Sequence, residues 1–127
     1  MKLTTNEVMQ RYQALLEISN NKTSGRIAMT IMCNLKALED TYKTVEQTLE
    51  DTKIKYADKD EEGKSIIVNN NYQLSDENLK LLTEEYKEIE QQEFEVPEPT
   101  KVPANAFNNC EDITAAELYK IEFMIEH

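Results

Sequence analysis

A mainly α fold is predicted by this sequence: one long central helix with antiparallel helix partners in a coiled-coil-like hairpin, one small β-hairpin and a short C-terminal helix. Three observations carry that prediction. Ile31, Leu35, Leu38, Tyr42, Val45, Leu49, Thr52 and Tyr56 recur at spacings of four and three, an unbroken heptad seam. Two clusters of turn formers, Asn20-Asn21-Lys22-Thr23-Ser24-Gly25 and Asp58-Lys59-Asp60-Glu61-Glu62-Gly63, bound that seam. Two capping boxes, Thr4 with Glu7 and Thr114 with Glu117, mark two further helix starts.

Each element follows from local chemistry. The first helix starts at Thr4 and runs to about Ser19, with Val8, Tyr12, Leu15 and Leu16 on one face. The spine follows from about Gly25 to Ala57, uninterrupted by Pro or further Gly, a length of roughly 50 Å at 1.5 Å per residue. Beyond the second turn cluster, Ser65-Ile66-Ile67-Val68 and Tyr72-Gln73-Leu74 flank Asn69-Asn70-Asn71. Asparagine tolerates the left-handed backbone that tight turns need, so this is a β-hairpin. Ser75 caps a third helix carrying Leu79, Leu82, Tyr86 and Ile89, with the spine's own rhythm. Phe94-Glu95-Val96 alternates as a strand does and could add to the hairpin. Pro97, Pro99 and Pro103 stiffen what reads as a spacer. The last helix carries Leu118, Tyr119, Ile121, Phe123, Met124 and Ile125 on more than one face, so it must dock into its own domain or into a partner. The chain is expected to be a single domain over 1–127. Its parts are a helical hairpin with the spine (1–57), the β-hairpin plus third helix (58–96), the spacer (97–112) and the apolar terminal helix (113–127).

The seam needs a cover, and two are conceivable. The first and third helices together have about the length of the spine, which favours folding back within one chain. A parallel homodimeric coiled coil would carry complementary charges at the flanking positions. Those positions hold Met32, Asn34, Glu39, Thr41, Glu46, Thr48, Lys53 and Lys55, without such pairs. Ile27, Met29, Met32 and Ile54 lie at or off the edge of the stripe. A homodimer is therefore expected, with Met29, Met32, Ile54, Leu118, Ile121, Phe123 and Ile125 as the candidate self-association or partner surface.

Composition narrows the function classes. Hydrophobic residues make up 39% of the 127, and Trp is absent, so the core should be thin. No run approaches the ~20 apolar residues of a membrane span, and the opening residues do not resemble a secretion signal, so a soluble intracellular protein is expected. The net charge is −11. Residues 1–75 hold eleven acids against ten bases, whereas 76–127 hold fourteen against four. The candidate acidic interaction face is Glu84, Glu85, Glu88, Glu90, Glu93 and Glu95. It would repel nucleic acid and anionic membrane and attract a basic protein surface; the alternative is a solvated face that keeps the chain soluble.

Signs of catalysis are lacking. Cys33 and Cys110 have no CxxC spacing, and both are expected as free thiols, Cys33 buried beside the seam. The single histidine is His127. Asp58 to Gly63 imitates the opening of a calcium loop, but the twelfth position, where a bidentate Glu is needed, is Asn69. Gly25 and Gly63 are the only glycines, so no glycine-rich phosphate loop exists. No enzyme activity, metal or cofactor is expected. Tyr42, Tyr56 and Tyr86 read as core or interface anchors.

Met1-Lys2-Leu3-Thr4, Leu35-Lys36-Ala37-Leu38-Glu39, Tyr56-Ala57-Asp58-Lys59-Asp60-Glu61-Glu62-Gly63 and Ile113-Thr114-Ala115-Ala116-Glu117-Leu118 with Phe123-Met124-Ile125-Glu126 together resemble a family. It is that of small uncharacterised proteins of tailed phages and prophages of Gram-positive, often gut, bacteria. This chain departs from it at Lys22-Thr23-Ser24-Gly25, where relatives have Leu-Pro-x-Lys. The resemblance implies a setting, the cytoplasm of an infected bacterial host, and three tasks. The first is inhibition of a host antiviral defence system, anti-CRISPR-like, through the acidic surface, with a host nuclease or defence protein as partner. The second is virion or tail assembly as an adaptor. The third is a sponge for a nucleotide signal, for which two arginines and scattered lysines are a poor supply.

Overall fold

Helix α2, Gly25–Tyr56, is 32 residues long, about 48 Å at 1.5 Å per residue. In the computed structural model, which describes residues 1–21 and 23–127, it follows strand β1 (Lys2–Thr4) and helix α1 (Thr5–Ile18). After it come the strands β2 (Ile67–Val68) and β3 (Asn71–Tyr72), helix α3 (Asp76–Gln91), and strands β4 (Glu93–Glu95) and β5 (Val102–Pro103). A 3₁₀ turn at Ala104–Phe107, helix α4 (Ala115–Lys120), a second 3₁₀ turn at Glu122–Met124 and strand β6 (Ile125–Glu126) complete the order. The mainly helical class, the long helix, the hairpin and the short C-terminal helix are thus as the sequence predicts. Lys22, in the first turn cluster, lies outside the described residues.

The heptad period is visible in burial. Ile31, Leu38, Val45 and Thr52, seven apart, are all buried, and Leu35, Tyr42, Leu49 and Tyr56 are all half-buried. Thr30 and Thr52, buried polar residues in this helix, donate their hydroxyls to the carbonyls of Arg26 (2.9 Å) and Thr48 (2.7 Å), so neither is left unsatisfied. The helix ends are closed by side chains as well. Ser24 Oγ accepts from the Ile27 N–H at 3.4 Å, and Lys59 Nζ donates to the carbonyls of Ile54 and Ala57.

The chain divides into two compact units, residues 1–42 with 93–127 and residues 43–92, and the division falls inside α2. In the first unit Val8, Leu15 and Ile18 of α1 join Ile27, Ile31 and Leu38 of α2, and Val96, Val102, Ile121 and Met124, in one core. The rings of Tyr12 and Tyr42 stack 4.0 Å apart at 17°. The α1 cap is the expected box, with Thr4 Oγ1 accepting from Glu7 N–H at 3.2 Å and Glu7 Oε1 from Thr4 N–H at 3.1 Å.

Four expectations are corrected here. Phe94 does not extend the hairpin: β4 pairs antiparallel with β1, Phe94 opposite Leu3. The proline stretch is not a free spacer, because Val96 and Val102 are buried and β5 pairs in parallel with β6, Val102 opposite Ile125. The terminal helix is only six residues long. At Ile121 the backbone leaves α geometry (φ −106°, ψ 16°) for a 3₁₀ turn and a strand. Ile121, Met124 and Ile125 are all buried in the core, and the strand at Ile125 lets the chain end pair with β5. Cys33 is exposed rather than buried: two residues beyond Ile31, about 200° round the helix, it faces away from the seam.

Asn34 holds the proline stretch in place. It lies on the α2 stripe between Ile31 and Leu38 and is almost wholly buried. Its Nδ2 donates to Thr100 O at 2.9 Å and its Oδ1 accepts from Thr100 N–H at 2.8 Å, as a neighbouring strand would. Asn34→Ala strips both partners from Thr100 and should lower stability by about 1–3 kcal/mol. Urea unfolding checks this. The midpoint should fall with the slope unchanged, and an unaltered midpoint would refute the clamp.

Candidate functional site

The second unit, residues 43–92, is assembled on one carboxylate. Asp58 follows α2, and its Oδ1 accepts from the Ser75 backbone N–H (3.1 Å) and Asn78 Nδ2 (3.0 Å), while Oδ2 faces Gln73 Nε2 at 3.3 Å. Its backbone bonds with Gln73 and Ile66 bring the hairpin to the same point. The hairpin turn is made by Asn69 and Asn70, both at positive φ (53° and 64°), the left-handed pair that a two-residue turn requires. Thus α3 starts where Asp58 and the Ser75 cap fix it, the Ser75 hydroxyl accepting from Asn78 N–H at 3.3 Å. The helix then runs back along α2: Glu85 meets Lys55 at 3.4 Å, and the Tyr86 hydroxyl donates to Leu49 O at 3.2 Å.

At 100° per residue α3 has two unlike edges. Leu82 and Ile89 are buried and Asn78 and Tyr86 half-buried on the inner face. One edge carries Glu77, Leu81, Glu84 and Glu88, at i, i+4, i+7 and i+11, all exposed, with no basic residue among them. The other carries Leu79, Thr83 and Glu90, while Lys80 and Lys87 lie on the outer face between the two edges, each within one turn of Glu84. Leu81 stands 41% exposed in the middle of the acidic edge, and Leu79 49% exposed on the other.

The six predicted acidic residues therefore do not share one face. Glu84 and Glu88 lie on the acidic edge. Glu85 borders it but turns inward: a hydrogen bond from Tyr56, helped by one from Lys55 and that residue's charge, lowers its pKa. The bond to Glu85 raises the pKa of Tyr56, and bonds to Tyr56 and then Glu85 raise that of Lys55. Glu90 falls on the mixed edge. Glu93 and Glu95 belong to β4 in the first unit, where Glu95 meets the Met1 ammonium at 3.0 Å. Sequence reasoning missed Glu77 and Leu81, which the i, i+4, i+7, i+11 spacing would have picked out.

The apolar candidates also separate. Met29, Met32 and Ile54 are exposed, Met29 at 64%. Ile121 and Ile125 are 0% and 8% exposed, and Leu118 and Phe123 are half-buried against the same core. Ile121 and Ile125 form the inside of the first unit rather than a surface for a second copy or a partner, because the chain's own α1 and α2 already supply the apolar environment they need, whereas Leu118 and Phe123 keep part of their surface open. In the calcium-like segment, Asp60 Oδ1 accepts from Glu62 N–H (2.8 Å) and Lys64 N–H (3.0 Å) and Gly63 takes φ 81°, which is a turn held by its own carboxylate. Among the described residues no three His, Cys, Asp or Glu side chains converge as metal ligands, and no helix is long and apolar enough to cross a membrane. Both cysteines are free thiols. No family model, curated protein or solved structure matches the chain.

Asp58 gives the second unit a pH dependence of known sign. The Ser75 N–H and then the Asn78 and Gln73 side chains hold its carboxylate below the ordinary value of 3.8. A carboxyl whose pKa is lower folded than unfolded stabilises the fold above the unfolded value. That contribution is lost as pH falls through the folded value. Asp58→Asn should therefore melt lower than the parent chain at pH 6, and the gap should close below about pH 3.8. A gap that does not change with pH would sink this assignment.

Proposed function

We propose that this chain is a non-enzymatic binding protein that engages a basic protein surface through the acidic edge of α3. In the phage setting implied by the resemblance, the partner is a host nuclease or other antiviral defence protein. The chain acts in the cytoplasm of the infected cell, its carboxylates standing where nucleic-acid phosphates would. One observation carries this: Glu77, Glu84 and Glu88 share an exposed line with Leu81, bordered on its outer side by Lys80 and Lys87 but with no base within it. Carboxylates around an exposed leucine combine the two elements of a protein contact, charge that steers and orients and an apolar anchor that holds. The exposed Met29 and Met32 support association of two copies within the same proposal. A virion-assembly adaptor recruiting its partner through the terminal apolar residues would need them free, and Ile121 and Ile125 are buried. The nucleotide sponge lacks clustered bases.

The test is the double reversal Glu84→Lys with Glu88→Lys, leaving Glu85 in place because it holds Lys55. Pull-down of the host's nucleic-acid-cutting defence proteins, with plating of a restricted phage beside it, reads the outcome. The reversal should weaken capture by about tenfold or more and abolish protection of the phage, and wild-type capture should fall steeply with added salt. Undiminished capture by a folded double variant would overturn charge mimicry.

A further inference from the structure

We infer that the first unit binds a carboxylate with an apolar body, in the cleft between α1 and the C-terminal segment, with Arg11 as its receptor. The cleft has a volume of about 540 Å³, within the usual range for small-molecule sites, and Arg11, Tyr119, Lys120 and Phe123 are among the residues that line it.

Arg11 is the one charged group there that has no partner atom. Its guanidinium lies over the Phe123 ring, 4.6 Å from the centroid, and donates no hydrogen bond and forms no ion pair among the described residues. Two of the three carboxylates lining the cleft are engaged, and the third lies near the His127 ring. Glu7 accepts from the Thr4 N–H at 3.1 Å, Glu17 meets Lys120 at 3.5 Å, and Glu122 lies 3.8 Å from the His127 ring. The guanidinium is half-buried, with its nitrogens still open to the cleft. Its pKa is lowered by that burial, against the opposing fields of Glu7 and Glu98.

The geometry selects the ligand class. Stacking on Phe123 holds the guanidinium plane, and a carboxylate takes two parallel N–H···O bonds from such a fork. Phe123 and the 78% exposed Tyr119 offer aromatic surface for the apolar body. One cation suits one carboxylate rather than a polyphosphate, whose several charges Glu7, Glu17 and Glu122 would repel more strongly than a single one. The acid could be a free organic acid or the C-terminus of a peptide, and the same recognition serves both.

The test titrates the isotopically labelled full-length chain with N-acetylphenylalanine, N-acetylphenylalaninamide and an acetylated tripeptide ending in a phenylalanine carboxylate, followed by NMR. The acid should shift the Arg11 Nε–H and the Phe123 and Tyr119 rings, and the amide should bind at least tenfold more weakly. Tighter binding of the tripeptide assigns the site to a chain end; equal binding assigns it to a small acid. Arg11→Gln should abolish the response, and Arg11→Lys, keeping charge but not the fork, should weaken it. Equal binding of acid and amide in the wild-type chain, or shifts that avoid Arg11, would overturn the proposal without recourse to any variant.

Discussion

An apolar line repeated every seven residues along a 32-residue helix has to be kept from water over its whole length, and the other elements are arranged to meet that need. The helix meets it with two different covers. Over its first part Ile31 and Leu38 pack with α1 and with the residues around Ile121 and Met124. Over its second part Val45 and Thr52 are buried in the unit that contains α3, whose Leu82 and Ile89 face inward. Heptads of this kind are often satisfied by a second copy of themselves, but here the cover is encoded in the same chain.

Because the apolar supply is small, polar side chains fix what hydrophobic contact alone would leave loose. Asn34 holds the proline stretch by both backbone groups of Thr100, and Asp58 joins hairpin, cap and helix. In the first unit Glu117 has a comparable role. It closes the α4 capping box and accepts from Asn21 Nδ2 at 2.7 Å, and these bonds, the Thr114 N–H first, lower its pKa. Each clamp joins residues that are distant in sequence through bonds to backbone or amide groups, so each specifies a single register where an apolar contact would tolerate sliding.

What was legible in the sequence was local or periodic. The seam, the two capping boxes and the asparagine turn are set by residues within one or two turns of each other, and all are found where the sequence puts them. What was hidden was non-local and short. Nothing in Lys2-Leu3-Thr4 announces a strand, because three residues carry no period and the partner lies some ninety positions away at Glu93–Glu95. The break at Ile121 was equally unreadable, since which apolar residues turn inward depends on the core they meet. The acidic surface was legible as a surplus of glutamates but not as a surface. Lys55 and Tyr56 draw Glu85 inward, β4 takes Glu93 and Glu95 elsewhere, and Glu77 joins from outside the dense run.

The two candidate surfaces fit this division of labour. The second unit offers an outward edge of carboxylates around Leu81; the first offers a cleft with one unpaired guanidinium. Neither requires the seam to be open, and the central claim is that it is closed from within the chain. An isotope-filtered NOE experiment on a mixture of labelled and unlabelled chains tests that most directly. Contacts of Tyr42 with Tyr12, and of Leu49 with Tyr86, should arise only within a chain. Intermolecular contacts among Leu38, Val45 and Thr52 of different chains would contradict the account, because they would mean that the seam is a zipper between copies.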